Sequence, residues 1–226
     1  MMKRFLTFAA ILLALAAVSC KKDQVLYYND VSFVTATDGV YISDAGVEYV
    51  IVENATDREI PRDGRLILAC DILKKVRTGV FDVRVNAFSQ PLAKDAIEAS
   101  GSAQDDPVSI EDGWFSGGYF NSLLGLFVKD ESSVKHVLNL EYTLPTEAND
   151  TLYLRLRHDA LGEIPVNPKD DTDEYSYVRT YACFRLDGLL PSGSEVPVKI
   201  LWNWYDAEAE DPAACKEYSH KLKLRI

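Results

Sequence analysis

Val80-Phe81-Asp82-Val83-Arg84-Val85-Asn86-Ala87 is the stretch whose pattern decides the fold. Phe81, Val83, Val85 and Ala87 alternate with Asp82, Arg84 and Asn86, and a period of two marks a strand buried on one face. Just upstream, Leu66, Leu68, Cys70 and Ile72 share one parity while Asp71 lies on the other. Arg77-Thr78-Gly79, between the two runs, reads as a hairpin loop. Further back, a run from Val31 to Ala36 ends at Thr37-Asp38-Gly39, and one from Val47 to Glu53 ends at Asn54-Ala55-Thr56-Asp57. About five short strands so closely spaced suit a small closed barrel, since closure removes exposed edges.

Downstream, residues 100–106 (Ser-Gly-Ser-Ala-Gln-Asp-Asp) hold no apolar side chain larger than alanine and read as a linker. Strand patterns resume beyond it in Tyr119 to Lys129 and Val134 to Tyr142, and Leu152, Leu154 and Leu156 then alternate with Tyr153, Arg155 and Arg157. Val178, Thr180, Ala182, Phe184 and Leu186 follow, then Val196, Val198, Ile200, Trp202 and Trp204. At the end, Tyr218, His220, Leu222 and Leu224 oppose Ser219, Lys221, Lys223 and Arg225. Strands with one solvated face make an antiparallel sandwich. The expected class is therefore all-β, a small barrel over residues 31–103 followed by a β-sandwich over 104–226.

Residues 1–19 carry a different pattern. Lys3 and Arg4 precede a nearly unbroken apolar run from Phe5 to Val18, then Ser19 and Cys20. A basic start, an apolar middle and a small residue at the cut are the parts of a bacterial export signal. The run is shorter than the ~20 residues of a spanning helix. Cys20 in the next position predicts a lipoprotein signal, with Cys20 lipidated and residues 20–30 serving as a tether. Ala17-Val18-Ser19 would equally serve plain secretion, so that alternative stays open. Loss of Lys3 and Arg4 leaves 22 basic against 35 acidic residues, a charge of −13 in place of −11. Such a balance argues against nucleic acid as a partner. Three other cysteines, Cys70, Cys183 and Cys215, cannot form a complete disulfide set. Export would permit a Cys183–Cys215 bridge; the alternative is three small core residues.

Short pieces spread over nearly the whole exported chain resemble the NigD-like lipoproteins of Gram-negative anaerobes. They are Gly64-Arg65 with Asp71-Ile72-Leu73, Val83-Arg84-Val85-Asn86 and Lys94-Asp95-Ala96-Ile97 in the first half. In the second half they are Asp106-Pro107-Val108-Ser109-Ile110, Trp114, His136-Val137-Leu138-Asn139-Leu140, and Leu154-Arg155-Leu156-Arg157-His158-Asp159-Ala160. The resemblance implies an OB-type barrel before the sandwich and an outer-membrane lipoprotein of the cell envelope. It implies no known enzymatic activity and, through a bacteriocin-associated namesake, an immunity-type role. Lys21-Lys22 stand where relatives often carry acids after the lipid cysteine, which leaves the membrane face open.

Candidate chemistry is sparse. His136, His158 and His220 stand far apart in sequence, without metal-ligand spacing, so no metal and no cofactor is expected. His158, closing its strand beside Asp159, is the best polar candidate among them and is counted with Tyr153, Asn203 and Tyr205 in a candidate ligand surface. No serine lies in a G-x-S-x-G elbow, neither Cys70 nor Cys183 has an activating neighbour, and no glycine-rich phosphate loop is present. Asp170, Asp171, Asp173 and Glu174 depart from a calcium-loop pattern and read as a solvated acidic loop. Parity puts Trp202 in the core and Asn203 and Tyr205 on the opposite face, where with Tyr153 they would form a ligand surface. The expectation is a monomeric, non-enzymatic module held to the membrane through lipid on Cys20, with an envelope protein or a glycan as partner. An immunity-type protective factor and a glycan-binding accessory lipoprotein are the alternatives.

Overall fold

The computed structural model describes residues 26–101, 104–146, 151–169, 174–189 and 195–225. Residues 1–19, which read as an export signal, lie outside them, as do Cys20, Asp170, Asp171 and Asp173. Every regular element described is a strand.

The first five strands are β1 (Tyr27–Thr37), β2 (Val40–Ser43), β3 (Glu48–Asn54), β4 (Gly64–Arg77) and β5 (Val80–Ser89). They close into a barrel in the order β1-β2-β3-β5-β4, with β1 paired to β4 and β3 parallel to β5. The β4–β5 hairpin turns at Thr78-Gly79, where Gly79 has φ +75°, a conformation that glycine adopts without a Cβ clash. Alternation then fills the lumen: Leu66, Leu68, Cys70 and Ile72 meet Val83, Val85, Val34, Tyr41 and Tyr49 in one buried cluster.

Nine strands remain among the described residues. They are β6 (Leu92–Asp95), β7 (Ile97–Glu98), β8 (Ser109–Ser116), β9 (Tyr119–Lys129) and β10 (Val137–Thr143), followed by β11 (Leu152–Asp159), β12 (Tyr175–Arg185), β13 (Glu195–Tyr205) and β14 (Cys215–Arg225). One sheet runs β14-β13-β11-β10-β7 and the other β6-β12-β9-β8. Their inner faces share a core that includes Phe120, Leu124, Leu140, Leu154, Phe184, Val198 and Ile200. The sandwich is mostly antiparallel, but β6 and β7 join it in parallel, as does β11 against β13.

β6 and β7 correct the expected boundary. Both precede residue 100, yet β6 pairs with β12 and β7 with β10, one in each sandwich sheet. The chain therefore leaves the barrel after Ser89. The described residues on either side of 102–103 are no free linker either; Ala99, Ser100, Asp105 and Asp106 strap the outer face of the five-stranded sheet. Ala99 N donates to Tyr142 O at 3.0 Å and Asp106 N to His158 O at 2.8 Å. Between those ends, one Asp105 oxygen receives Arg155 Nη2 at 2.5 Å and Arg157 Nη1 at 2.8 Å. Arg157 Nε also holds Glu141 at 2.8 Å, and that carboxylate is buried under the strap although its parity points outward.

A buried arginine joins barrel to sandwich. Arg65 of β4 is fully buried and grips Asp44 with both terminal nitrogens, at 2.5 and 2.6 Å. It also donates to Asn121 Oδ1 of β9 at 2.9 Å and lies over the Tyr119 ring. Ser116 donates to the same Asp44 carboxylate at 2.5 Å, while Phe33 of β1 packs edge-on against Trp114 and Tyr181.

Candidate functional site

The four residues expected to share a ligand surface are split by the fold. Tyr153, on β11, is 45% exposed on the outer face of the five-stranded sheet. Tyr205 is only 8% exposed, and the expectation that it faces solvent is corrected. Strict alternation on β13 stops after Ile200, and residues 201–204 are all half-buried. Tyr205 then donates its hydroxyl to Pro165 O at 3.2 Å and packs edge-on against Phe127 and Trp204. Asn203 is half-buried beneath the strap, its amide 3.4 Å from Asp105 O and its carbonyl accepting Val108 N at 2.9 Å. Trp202 packs on the core as parity predicted, and Trp204 stacks on Phe127.

His158 is not a surface group. It shares parity with Leu152, Leu154 and Leu156, points inward and is 1% exposed. Its Nδ1 lies 2.8 Å from Pro107 O and must donate, because a carbonyl only accepts. Neutral His158 therefore offers Nε2 as an acceptor, and His136 Nδ1, 3.0 Å away, donates to it. Two histidines expected far apart thus form a buried pair: the β10–β11 register sets Leu138 opposite His158, and His136, two residues before Leu138, falls on the same face. Sequence spacing carries no signal for this contact, since 22 residues separate them. Burial pushes the His158 imidazole below its ordinary value, with His136 adding to the shift.

No thiol is activated among the described residues. Burial raises Cys70 to about 12, with Asp30 and Asp71 adding to it, and burial also raises Cys183. Cys183 is buried on β12 and Cys215 exposed on β14, and both are free, so the bridge that export would permit is not formed. An open cleft of about 410 Å³ at the barrel mouth is lined by Asp30, Ser32 and Tyr49. Its polar groups satisfy one another: Ser32 Oγ and Tyr49 OH each donate to Asp30 at 2.9 Å, and burial holds the phenol up near 12.

Two outward faces remain. On the barrel, Val40 and Ile42 of β2 and Val50 and Val52 of β3 all point outward, with Val52 56% exposed. A shallow cleft of about 490 Å³ is lined by Val40 and Val50 of this group together with Glu48 and Glu59. On the sandwich, cross-strand pairing sets Tyr153 beside Lys199 and Lys199 beside Lys221. The sequence held a signal for the barrel face, because Val40/Ile42 and Val50/Val52 carry the parity opposite to Tyr41 and Tyr49. β-branched residues on both faces concealed which one was the core.

Residues 91–214 match the NigD-like C-terminal beta sandwich domain. The chain belongs to the NigD-like family. The start of that match, beside β6, agrees with the sheet pairing on where the sandwich begins. Solved structures repeat the NigD-like fold across barrel and sandwich together. A NigD-like immunity protein from Bacteroides caccae ATCC 43185 is 21% identical, with TM-score 0.62 over 84% of this chain and 91% of its own. A protein of unknown function from Bacteroides vulgatus ATCC 8482 is 17% identical, with TM-score 0.62 over 87% and 90%. A presumed lipoprotein from Bacteroides fragilis NCTC 9343 is 12% identical, with TM-score 0.61 over 88% and 98%. At these identities the likeness is one of fold. No curated protein matches this NigD-like chain in sequence.

Proposed function

We propose that this protein is a non-enzymatic envelope lipoprotein, anchored through Cys20, that captures a cationic, apolar-faced polypeptide on its barrel. One observation carries the reading: Val40, Ile42, Val50 and Val52 lie exposed together on β2 and β3, with Glu48 and Glu59 at their cleft. Strands 2 and 3 are the ligand-binding face of OB-type barrels. Ligands that stack, such as nucleobases or sugars, want aromatic rings there, and this face presents branched aliphatic ones. A contiguous apolar face with an acidic border suits a protein partner of complementary charge. Likeness to a NigD-like immunity protein supports interception of such a polypeptide as the purpose.

The test is fluorescence anisotropy with a labelled amphipathic peptide of lysine and leucine. Wild-type protein should bind it, and a Val50→Arg/Val52→Arg variant should bind at least about tenfold more weakly while melting at the same temperature, as surface changes usually do. Equal binding by the two proteins would remove the barrel-face reading. In cells, Cys20→Ala should shift the protein from the membrane fraction to the soluble one. Retention after a high-salt wash would count against the lipid anchor.

A further inference from the structure

The outer face of the five-stranded sheet carries a row of side chains set by pairing alone: Thr143 opposite Tyr153, Tyr153 opposite Lys199, and Lys199 opposite Lys221. Like charges directly opposite on neighbouring strands weaken a sheet. Elsewhere on this face the cations with described side chains are neutralised. Arg155 is held by Asp105 and Glu217, Arg157 by Asp105 and Glu141, and Lys223 by Glu195 at 3.2 Å. Among the described residues no carboxylate pairs with Lys199 or Lys221. Two such lysines side by side in a chain of net charge −11 are out of keeping with their surroundings. Ser100 and Asp105 of the strap engage Glu141, Arg155 and Arg157 in the neighbouring rows, while Tyr153 stays open to solvent.

We propose that Tyr153, Lys199 and Lys221 form a binding site for an acidic glycan, a polysaccharide bearing carboxylate groups. The phenol ring offers an exposed stacking surface for a sugar ring, and the lysines stand one and two strands away. Strands are spaced about 4.8 Å apart, close to the advance of one pyranose unit along an extended chain. A sugar stacked on Tyr153 therefore places the acid groups of the next units over Lys199 and then Lys221. Pro197 and Leu201, the outward neighbours of Lys199 on β13, keep the floor beside it free of further charge. This site is on the sandwich, on strands other than those of the barrel face, and does not depend on it.

Affinity electrophoresis of the exported chain in gels containing polygalacturonate tests it, with dextran as the neutral control. Wild-type protein should be retarded by polygalacturonate and not by dextran. Lys199→Gln/Lys221→Gln should weaken retardation by about tenfold, the scale of two exposed charge contacts. Tyr153→Ala should weaken it too, whereas Lys74→Gln/Lys75→Gln on the barrel removes the same charge and should leave retardation unchanged. Equal losses in the barrel control would reduce the effect to net charge and overturn the site. Absence of retardation in wild type would do the same. So would flotation with phosphatidylglycerol vesicles lost in the lysine variant without any polygalacturonate binding, since the face would then be membrane-directed. Val50→Arg/Val52→Arg should bind the glycan normally, which keeps the two readings separable.

Discussion

Replacing Arg65 by methionine should cost more stability than any other single change at the junction of the two β units. Methionine keeps much of the volume and removes the charge. Lost with it are two charge-assisted bonds to Asp44, one to Asn121, one to Thr35 at 3.2 Å and the contact with the Tyr119 ring. Asp44, whose side chain is 14% exposed, is left with Ser116 as its remaining side-chain donor. Removing one partner of a buried ion pair typically costs about 3–5 kcal/mol, most of it from the charge left behind. Asp44→Ala combined with Arg65→Met leaves no orphan carboxylate. The double variant should therefore fall short of the sum of the single losses by more than about 1 kcal/mol, as neighbours in one network do. Urea unfolding of the four proteins, followed by tryptophan fluorescence, measures this cycle, because Trp114 packs against Phe33 across the junction. A loss below about 1 kcal/mol for Arg65→Met, or additive single losses, would show that Arg65 is not a pin but a spectator.

Residues 99–106 should resist limited proteolysis while the clamp is intact, and Arg157→Ala should make them the first site cut; an unchanged cleavage map would mean the strap is held by its backbone alone. His158 has its folded-state value pushed below 6.5, so the unfolded chain takes up the proton first. Stability should be complete above about pH 7 and fall as pH drops through the unfolded value of about 6.5, and His158→Gln should flatten that slope between about pH 7 and 5. Equal slopes in both proteins would assign the acid sensitivity to other groups. Under native conditions Cys215 should react with a maleimide rapidly, and Cys70 and Cys183 only on unfolding; prompt labelling of all three would contradict the burial of the two cores.

The all-β class and the barrel were legible because Leu66, Leu68 and Cys70 face Val83 and Val85 in the lumen as their parity requires. Bulges in the β4–β5 pairing nonetheless leave Ala87 exposed and bury Val80 and Asp71, against the simple alternation. What alternation reports, however, is only which face a side chain takes, and whether that face meets water depends on what crosses it. Glu141 and Arg157 have outward parity, yet described residues of the stretch that looked like a linker meet them. Its carboxylates hold it there: Asp105 is held by Arg155 and Arg157, and Asp106 accepts Ala160 N. The same limit hid the covering of Tyr205, made by a loop whose path no period encodes, while the pairing of His136 with His158 depends on the β10–β11 register. Tyr153 escaped because it sits one row beyond the strap. Alternation on β11 turns it outward, and it stays exposed because the contacts of Ser100 and Asp105 fall on the neighbouring rows. The binding surface of the sandwich is thus defined by the covering segment as much as by the sheet. Lengthening that strap by two residues between Ala99 and Asp105 should loosen the clamp on Arg155 without touching Tyr153 itself. Glycan retardation should then weaken in the insertion variant while its barrel still binds the cationic peptide. Retention of full glycan binding would show that the row of Tyr153, Lys199 and Lys221 needs no support from the segment beside it.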